Sequence, residues 1–412
     1  MTLAGSRPSV GYLVSEHPKP SQTFIEREID AVRARGVRVV EFALWSSQPT
    51  RANPWPAVRP LAVFEEGPVD SVRFERAVAD VGGRAELERL AAERGANMTI
   101  YEGYVRKSVQ LVGLLGTNPV GHLHAHFGMG ASMVALFVHR MTGLPFSFTV
   151  HGGEDVHPRY ALEHALKADS AHTVVFASEY ARAAFKRYQN APLPCPSQVV
   201  RCGLPRDYFC SQAEFSPRAS RLCVVARLER PKRHDILIDA LDDAGVRGRV
   251  ERCEFVGEGN LRSTLESQVR ERGLASIVRF RGALSSSDTR RAIDASDICV
   301  LPTDDEGVPV AIIEAMARQK LCIAADVGGL REIIEPGVTG MLYDGSSRGL
   351  SEALSRALDL PPIERSAMTG RALSLVRDRY VEDDSADQLL RLFAGQDAAQ
   401  SPTASDRHTH NV

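Results

Sequence analysis

Nowhere in this 412-residue chain does an apolar run approach the roughly 18–20 residues that a bilayer-crossing helix requires. The stretch Met1 to Pro8 also lacks the apolar core of a secretion signal. A cytoplasmic location is therefore expected, with peripheral contact at the inner face of the cell membrane as its variant. Cysteine is scarce and poorly spaced for metal or disulfide chemistry: there are seven, an odd number, and no C-x-x-C. Cys223, Cys253, Cys299 and Cys322 lie in apolar, strand-like runs and read as small core residues of a reducing compartment. Excess positive charge is missing, since the net charge is −2, which argues against a general nucleic-acid binder. No G-x-G-x-x-G follows a strand and opens a helix, so a dinucleotide fingerprint is absent. Neither G-x-S-x-G nor a cysteine in an electropositive strand-end loop occurs, which leaves no evident covalent nucleophile. No short-period repeat is visible.

What is present is an alternation of strands and helices. At 412 residues, two or three domains are expected. Apolar runs at 10–14, 37–45, 120–127, 145–150, 173–176 and 197–200 read as strands. Helical stripes separate them, beginning with Phe24, Ile25, Ile29 and Val32 behind a Ser21 cap. Residues 46–70 are proline-rich and read as a loop; residues 70–95 read as charged helix. Tyr104 to Leu115 carries an apolar face that suits either a membrane surface or packing on a sheet. A second series of strands runs from 222–226 through 253–256, 277–280, 298–301, 321–324 and 341–343. Three closing helices follow. The expected class is α/β, with two doubly wound Rossmann-like domains facing a cleft. The boundaries are 1–205 for an N-terminal Rossmann-like domain, 206–220 for a linker and 221–378 for a second Rossmann-like domain. Residues 379–397 form a closing helix that packs toward the first domain, and 398–412 form a polar, disordered tail.

The most informative stretch is Thr303 to Met316. An apolar strand leads in, an acidic loop with Gly307, Val308 and Pro309 follows, and a helical pattern leads out. Pro309 suits the first turn of that helix. Glu306 then lies on a strand-to-helix loop and Glu314 within the helix, beside the free N–H groups of Val308 and its neighbours. Strand carboxyl ends and helix N-termini are where α/β sheets bind ligands. Arg227 follows directly on another strand, and Lys232 precedes a helix near His234; together they suit a diphosphate clamp. Glu258 lies in a tight Gly257-Glu258-Gly259 turn at the same edge, and Gly328-Gly329 ends a further strand. In the first half, His122, His124 and His126 alternate along one strand face. Residues two apart on a strand are separated by nearly ~7 Å, too far for one zinc to take all three readily. No metal is expected. His126, nearest the strand's carboxyl end, and His151, at a strand end before Gly152-Gly153, are the stronger ligand candidates.

These motifs resemble the retaining nucleotide-sugar glycosyltransferases of family 4, the bacterial exopolysaccharide-type group 1 enzymes with the GT-B fold. The resemblance rests on E-G-x-P-x-x-x-x-E-A from Glu306 and R-L-x-x-x-K from Arg227. It also rests on G-G-x-x-E-I-I at 328–334, S-Q-T-F-I at 21–25, H-A-H-F-G at 124–128 and T-V-H-G at 149–152. It covers about residues 8–395. It implies that Glu314 accepts hydrogen bonds from ribose, while Arg227 and Lys232 stabilise the departing diphosphate. Glu306 and, across the cleft, His151 would face the transferred sugar as the catalytic positions. Gly307, Val308 and Pro309 would border the donor, with backbone N–H groups after Gly307 assisting. Glu258 would border the donor as well, and His126 and His124 the acceptor. Implied too are a nucleoside-diphosphate-sugar substrate, a glycan or lipid-linked acceptor, no separate cofactor and no metal. Where the family often has glycine after the lysine, this chain has Arg233 and His234; Ser15 to Pro20 replaces the family's frequent Gly-Gly loop. Transfer to a small soluble acceptor and a nucleotide-sugar epimerase on the same scaffold are the alternatives.

Overall fold

Continuous apolar runs such as Phe146-Ser-Phe-Thr-Val150 become strands buried on both faces, as parallel sheets require. The computed structural model describes residues 9–17, 19–46, 61–63, 68–188, 192–210 and 216–394. The expected tail at 398–412, most of the 46–70 loop and linker residues 211–215 lie outside the described residues. The first sheet comprises β1 (Ser9–His17), β2 (Arg38–Ser46), β3 (Leu61–Ala62), β4 (His122–His126), β5 (Phe146–Val150), β6 (Thr173–Phe176) and β7 (Ser197–Val199). Its order is β3-β2-β1-β4-β5-β6-β7. The second comprises β8 (Arg221–Val225), β9 (Arg252–Val256), β10 (Val278–Gly282), β11 (Ile298–Leu301), β12 (Leu321–Ala325) and β13 (Met341–Tyr343), in the order β10-β9-β8-β11-β12-β13. The pairings within both sheets are parallel.

Strand order reverses between β1 and β4 in one sheet and between β8 and β11 in the other. Crevices form at such switch points, outside the carboxyl ends of the strands. His126 and His151 lie at the first edge; Arg227 and Glu306 lie at the second. The Glu382–Phe393 helix returns to the first domain, where Leu389 and Leu392 pack with Val175 and Val200.

Local details depart from expectation for physical reasons. Ser21 does not cap a helix: it lies in a short 3-10 turn, Pro20–Gln22, and the Thr23–Ala34 helix starts after Gln22 without a side-chain cap. The helical region 70–95 splits into Ser71–Asp80 and Gly83–Arg94, broken at Gly82 and Gly83, whose φ values are 116° and 83°. Gly328-Gly329, after β12, opens a 3-10 turn, Gly328–Glu332. Pro309 is the residue before the Val310–Ala317 helix rather than its first turn.

The Tyr104–Leu115 face belongs to the helix Met98–Thr117. Its buried residues, Tyr101, Tyr104, Val105, Ser108 and Leu111, recur at helical spacing, and the apolar four join the first domain's core. The packing explanation therefore holds for this face, rather than a membrane one. Among the described residues, no helix is long and apolar enough to cross a membrane.

Candidate active site

The loop after β11 is held from two sides. Thr303 Oγ1 donates to the Pro231 carbonyl at 2.9 Å, and the Asp304 N–H donates to the same oxygen at 2.9 Å. From the other side, the Gly329 N–H donates to the Glu306 carbonyl at 2.8 Å. This fixes Glu306 where Lys232 can reach it: Lys232 Nζ lies 2.7 Å from Glu306 Oε2, and both side chains are largely buried. The expected phosphate lysine and sugar carboxylate are thus one ion pair. Arg227 is placed differently. Its guanidinium pairs with Glu229 and is half exposed.

The three residues after Glu306 do not act alike, although all were expected to border the donor. Gly307 is taken up by a contact between the domains, described below. The Val308 side chain is half-buried and turns to the second domain's apolar cluster, so it is a packing group and not a donor contact. Its carbonyl is occupied by the Val310 N–H at 2.9 Å. Val308 therefore has only its backbone N–H to offer a ligand. Pro309 is buried and, as a proline, has no N–H to give. Its carbonyl accepts from Ile312 and Ile313 and starts the helix that carries Glu314.

Gly257 and Gly259 serve a backbone contact. A Cβ on Gly257 would lie 2.0 Å from the Ala226 carbonyl oxygen, and one on Gly259 would lie 2.3 Å from that of Leu228. The Leu228 N–H donates to the Glu258 carbonyl at 2.9 Å. The turn therefore braces the loop carrying Arg227. The Glu258 side chain, expected beside the donor, pairs instead with Arg262 on an exposed surface.

Among the described residues, the domains meet across the cleft at several contacts, three of which bear on the site. Arg27, from the Thr23–Ala34 helix, donates from Nη1 to Glu314 Oε1 at 2.8 Å. Burial works against the Arg27 charge, and Glu314, with Tyr208 and Cys202, more than offsets it. Arg27 Nε and Nη2 are buried without hydrogen-bond partners among the described residues. Second, the Glu332 carboxylate accepts from the N–H groups of Glu179 and Tyr180, at the start of the Glu179–Arg187 helix. A carboxylate suits the positive end of a helix. Third, Gly307 meets the loop after β5: a Cβ there would lie 2.1 Å from the His151 carbonyl oxygen. Only glycine permits that approach. A cavity of about 310 Å³ opens beside Arg27, between its helix and Ser286, Ser287 and Arg290 of the second domain.

The histidines form a buried ladder. His122 Nε2 and His124 Nδ1 each lie 2.7 Å from Ser147 Oγ, and His124 Nε2 lies 3.0 Å from Thr149 Oγ1. His126 Nδ1 lies 3.1 Å from His151 Nε2. Burial, with the neighbouring His126, pushes His151 well below the ordinary imidazole value. His124 is lowered in the same way. Asp155 holds the following loop, accepting from the His151 N–H at 3.0 Å, and burial pushes its carboxyl up to about 6.

The expectation that His124 and His126 contact an acceptor is not met by their placement. Both are fully buried, and His126 sits behind His151. Glu28, His124 and His126 do bring one potential ligand atom each within 4.8 Å of one another. Both ring nitrogens of His124 are already hydrogen-bonded, however, so that set does not make a ready metal site.

Arg27 and Glu28 were not singled out from the sequence, and Glu332 entered only as the glutamate of the 328–334 motif, without a contact assigned to it. The signal for Glu28 was present: it lies on the helix stripe of Ile25, Ile29 and Val32, where an ionisable group is out of place. Nothing local pairs Arg27 with a glutamate 287 positions away.

Residues 219–359 match the family described as group 1 glycosyl transferases. The chain is 26% identical over 301 residues to the alpha-D-kanosaminyltransferase of Streptomyces kanamyceticus, covering 66% of this chain and 76% of that protein. It is 27% identical over 222 residues to an amylovoran biosynthesis glycosyltransferase of Erwinia amylovora, covering 50% of this chain and 54% of that one. Among solved structures, sucrose-phosphate synthase from Thermosynechococcus elongatus superposes with a TM-score of 0.75 at 18% identity, covering 96% of this chain and 100% of the other. Anabaena Alr3699/HepE, in complex with UDP and glucose, superposes at 0.69 and 17% identity, covering 94% and 100%.

Proposed function

We propose, from the match of residues 219–359 to group 1 glycosyl transferases and from the GT-B scaffold, that the protein transfers a sugar from a nucleoside diphosphate to an acceptor hydroxyl with retained anomeric configuration. The acceptor class in this reading is a lipid-linked or polysaccharide glycan. A relative in amylovoran biosynthesis supports it.

The observation that carries the reading is the seam at Gly307. It brings the loop that carries Glu306, paired with Lys232, against the His151 backbone of the other domain. Lys232 serves two anions in turn: Glu306 in the free protein, and a leaving diphosphate during transfer. An ammonium already fixed there stabilises developing charge without reorganising. Glu306 and His151 flank the transferred sugar, with the Val308 N–H as a backbone donor beside them. Glu314 accepts from ribose, with Arg27 holding its carboxylate in place. The cavity beside Arg27 is of a size to take a nucleobase. Arg227 joins the diphosphate after leaving Glu229. Metal is not part of this reading, because the cations of the chain supply the charge. The protein acts at the cytoplasmic side, with peripheral membrane contact where the acceptor is lipid-linked.

A thermal-shift screen with UDP-, GDP-, ADP- and TDP-sugars tests this. A bound donor stabilises by about RT ln(1 + [L]/Kd), so one nucleotide class should raise Tm. The anomer of the product, read by NMR, should match the donor's, and EDTA should leave turnover unchanged. No shift with any donor, or an inverted anomer, contradicts the proposal.

A further inference from the structure

We infer that Tyr12, Glu28 and His126 form a buried positioning chain that sets the tautomer of His151. The inference rests on the reading that His151 faces the transferred sugar. The four residues come from four elements: β1, the Thr23–Ala34 helix, the end of β4 and the loop after β5. Tyr12 OH donates to Glu28 Oε1 at 3.0 Å. The same oxygen lies 3.2 Å from His126 Nε2, out of line for a hydrogen bond from the ring. His126 Nδ1 then lies 3.1 Å from His151 Nε2. Ring stacking holds the geometry. The Tyr12 and His126 centroids are 5.7 Å apart with 22° between planes, and those of His126 and His151 are 5.4 Å apart with 25°.

Each link dictates the next. Burial, reinforced by Glu28, keeps Tyr12 a neutral hydroxyl that donates. With one proton on its ring, His126 holds it at Nε2 facing the carboxylate, since the alternative sets two lone pairs against each other. His126 Nδ1 is then bare and can only accept. His151 must therefore carry its proton on Nε2, as the bond made by one ring nitrogen sets the state of the other. Its Nδ1 is left as an acceptor with no hydrogen-bond partner among the described residues. A sugar hydroxyl can donate to it; a phosphate oxygen cannot. A carboxylate on the buried stripe of a helix is costly to keep, and an apolar residue would fill that seam without the cost. Tyr12, Glu28 and His126 act through His151 and are positioning residues.

Long-range 1H–15N NMR of histidine-labelled, full-length protein reads the tautomer directly. In the native protein, His151 should be protonated on Nε2. Glu28→Gln should convert it to a mixture and lower turnover of the donor found by thermal shift by about tenfold or more, with donor KM unchanged. Tyr12→Phe should give a smaller shift in the same direction. A native His151 protonated on Nδ1, or a Glu28→Gln spectrum identical to native, overturns the inference. The native spectrum alone decides the matter if Glu28→Gln fails to fold. His151→Ala separates the two readings: if it leaves turnover intact, His151 does not serve the sugar, whatever the tautomer.

Discussion

Arg27 and Glu314 come from different domains yet lie 2.8 Å apart, each largely withdrawn from water. Removing one member of such a pair strands the other charge. Glu314→Ala should therefore lower stability by about 3–5 kcal/mol, whereas Glu314→Gln keeps an acceptor for Arg27 and should lose far less. Urea melts of the two variants check this. Equal midpoints would show that the pair adds nothing across the domain seam. Only the glutamine variant can then report cleanly on ligand binding.

Glu332 caps a helix of the opposite domain. Its replacement by alanine should cost about 1 kcal/mol, the usual scale for a lost N-terminal cap. Because that cap exists only when the domains meet, Glu332→Ala should also enlarge the radius of gyration of the free protein in small-angle scattering. An unchanged scattering profile would place the contact outside the closing equilibrium.

Gly307→Ala puts a methyl where the His151 carbonyl now sits. The second domain keeps its own ligand groups, so nucleoside diphosphate affinity should hold. Turnover should fall by about 100-fold, the scale on which a 1 Å misplacement acts. Full activity in this variant would mean that the seam at Gly307 does not form during catalysis.

Acid should destabilise the fold. Burial pushes His122 down to about 3 and His234 down to about 4, and lowers His124, His151 and His164 well below the ordinary value. In the unfolded chain each titrates near ~6.5. Below that pH the unfolded state binds more protons, so stability falls as pH drops from ~6.5 toward ~4. Asp155, pushed up to about 6, acts the other way between its unfolded and folded values, as does Glu26, but these carboxyls are outnumbered. Tm should fall between about pH 6.5 and 5. A flat or rising Tm over that window would contradict the buried neutral state of the ladder.

Much of the fold was legible because both sheets are parallel. Strands such as Ile298–Leu301 are buried on both faces and read as unbroken apolar runs. The Glu306–Glu314 spacing and the Arg227–Lys232 turn were legible because each is local, carried by one loop and the start of one helix. What escaped was non-local. Lys232 pairing with Glu306, Arg27 with Glu314, and Glu332 with the Glu179–Arg187 helix all depend on how loops from distant parts of the chain converge. Within the 307–309 loop, sequence placed the three residues at the ligand edge but not their separate fates. Gly307 meets the other domain, Val308 packs inward and Pro309 starts the helix. The alternation of His122, His124 and His126 gave their shared strand face correctly. It did not reveal that Ser147, Thr149 and His151, on β5 and the loop that follows it, would absorb their ring nitrogens. Expected ligand contacts become internal support.

Calorimetric titration of UDP, GDP, ADP and TDP into the native protein, Glu314→Gln and Lys232→Gln tests the central claim most directly. At least one nucleoside diphosphate should bind the native protein, and each variant should weaken that binding by about 1–3 kcal/mol, the cost of a lost polar partner. If none of the four binds, or if the tightest binder is indifferent to both substitutions, the cleft around Lys232, Glu306 and Glu314 is not a nucleotide-sugar site.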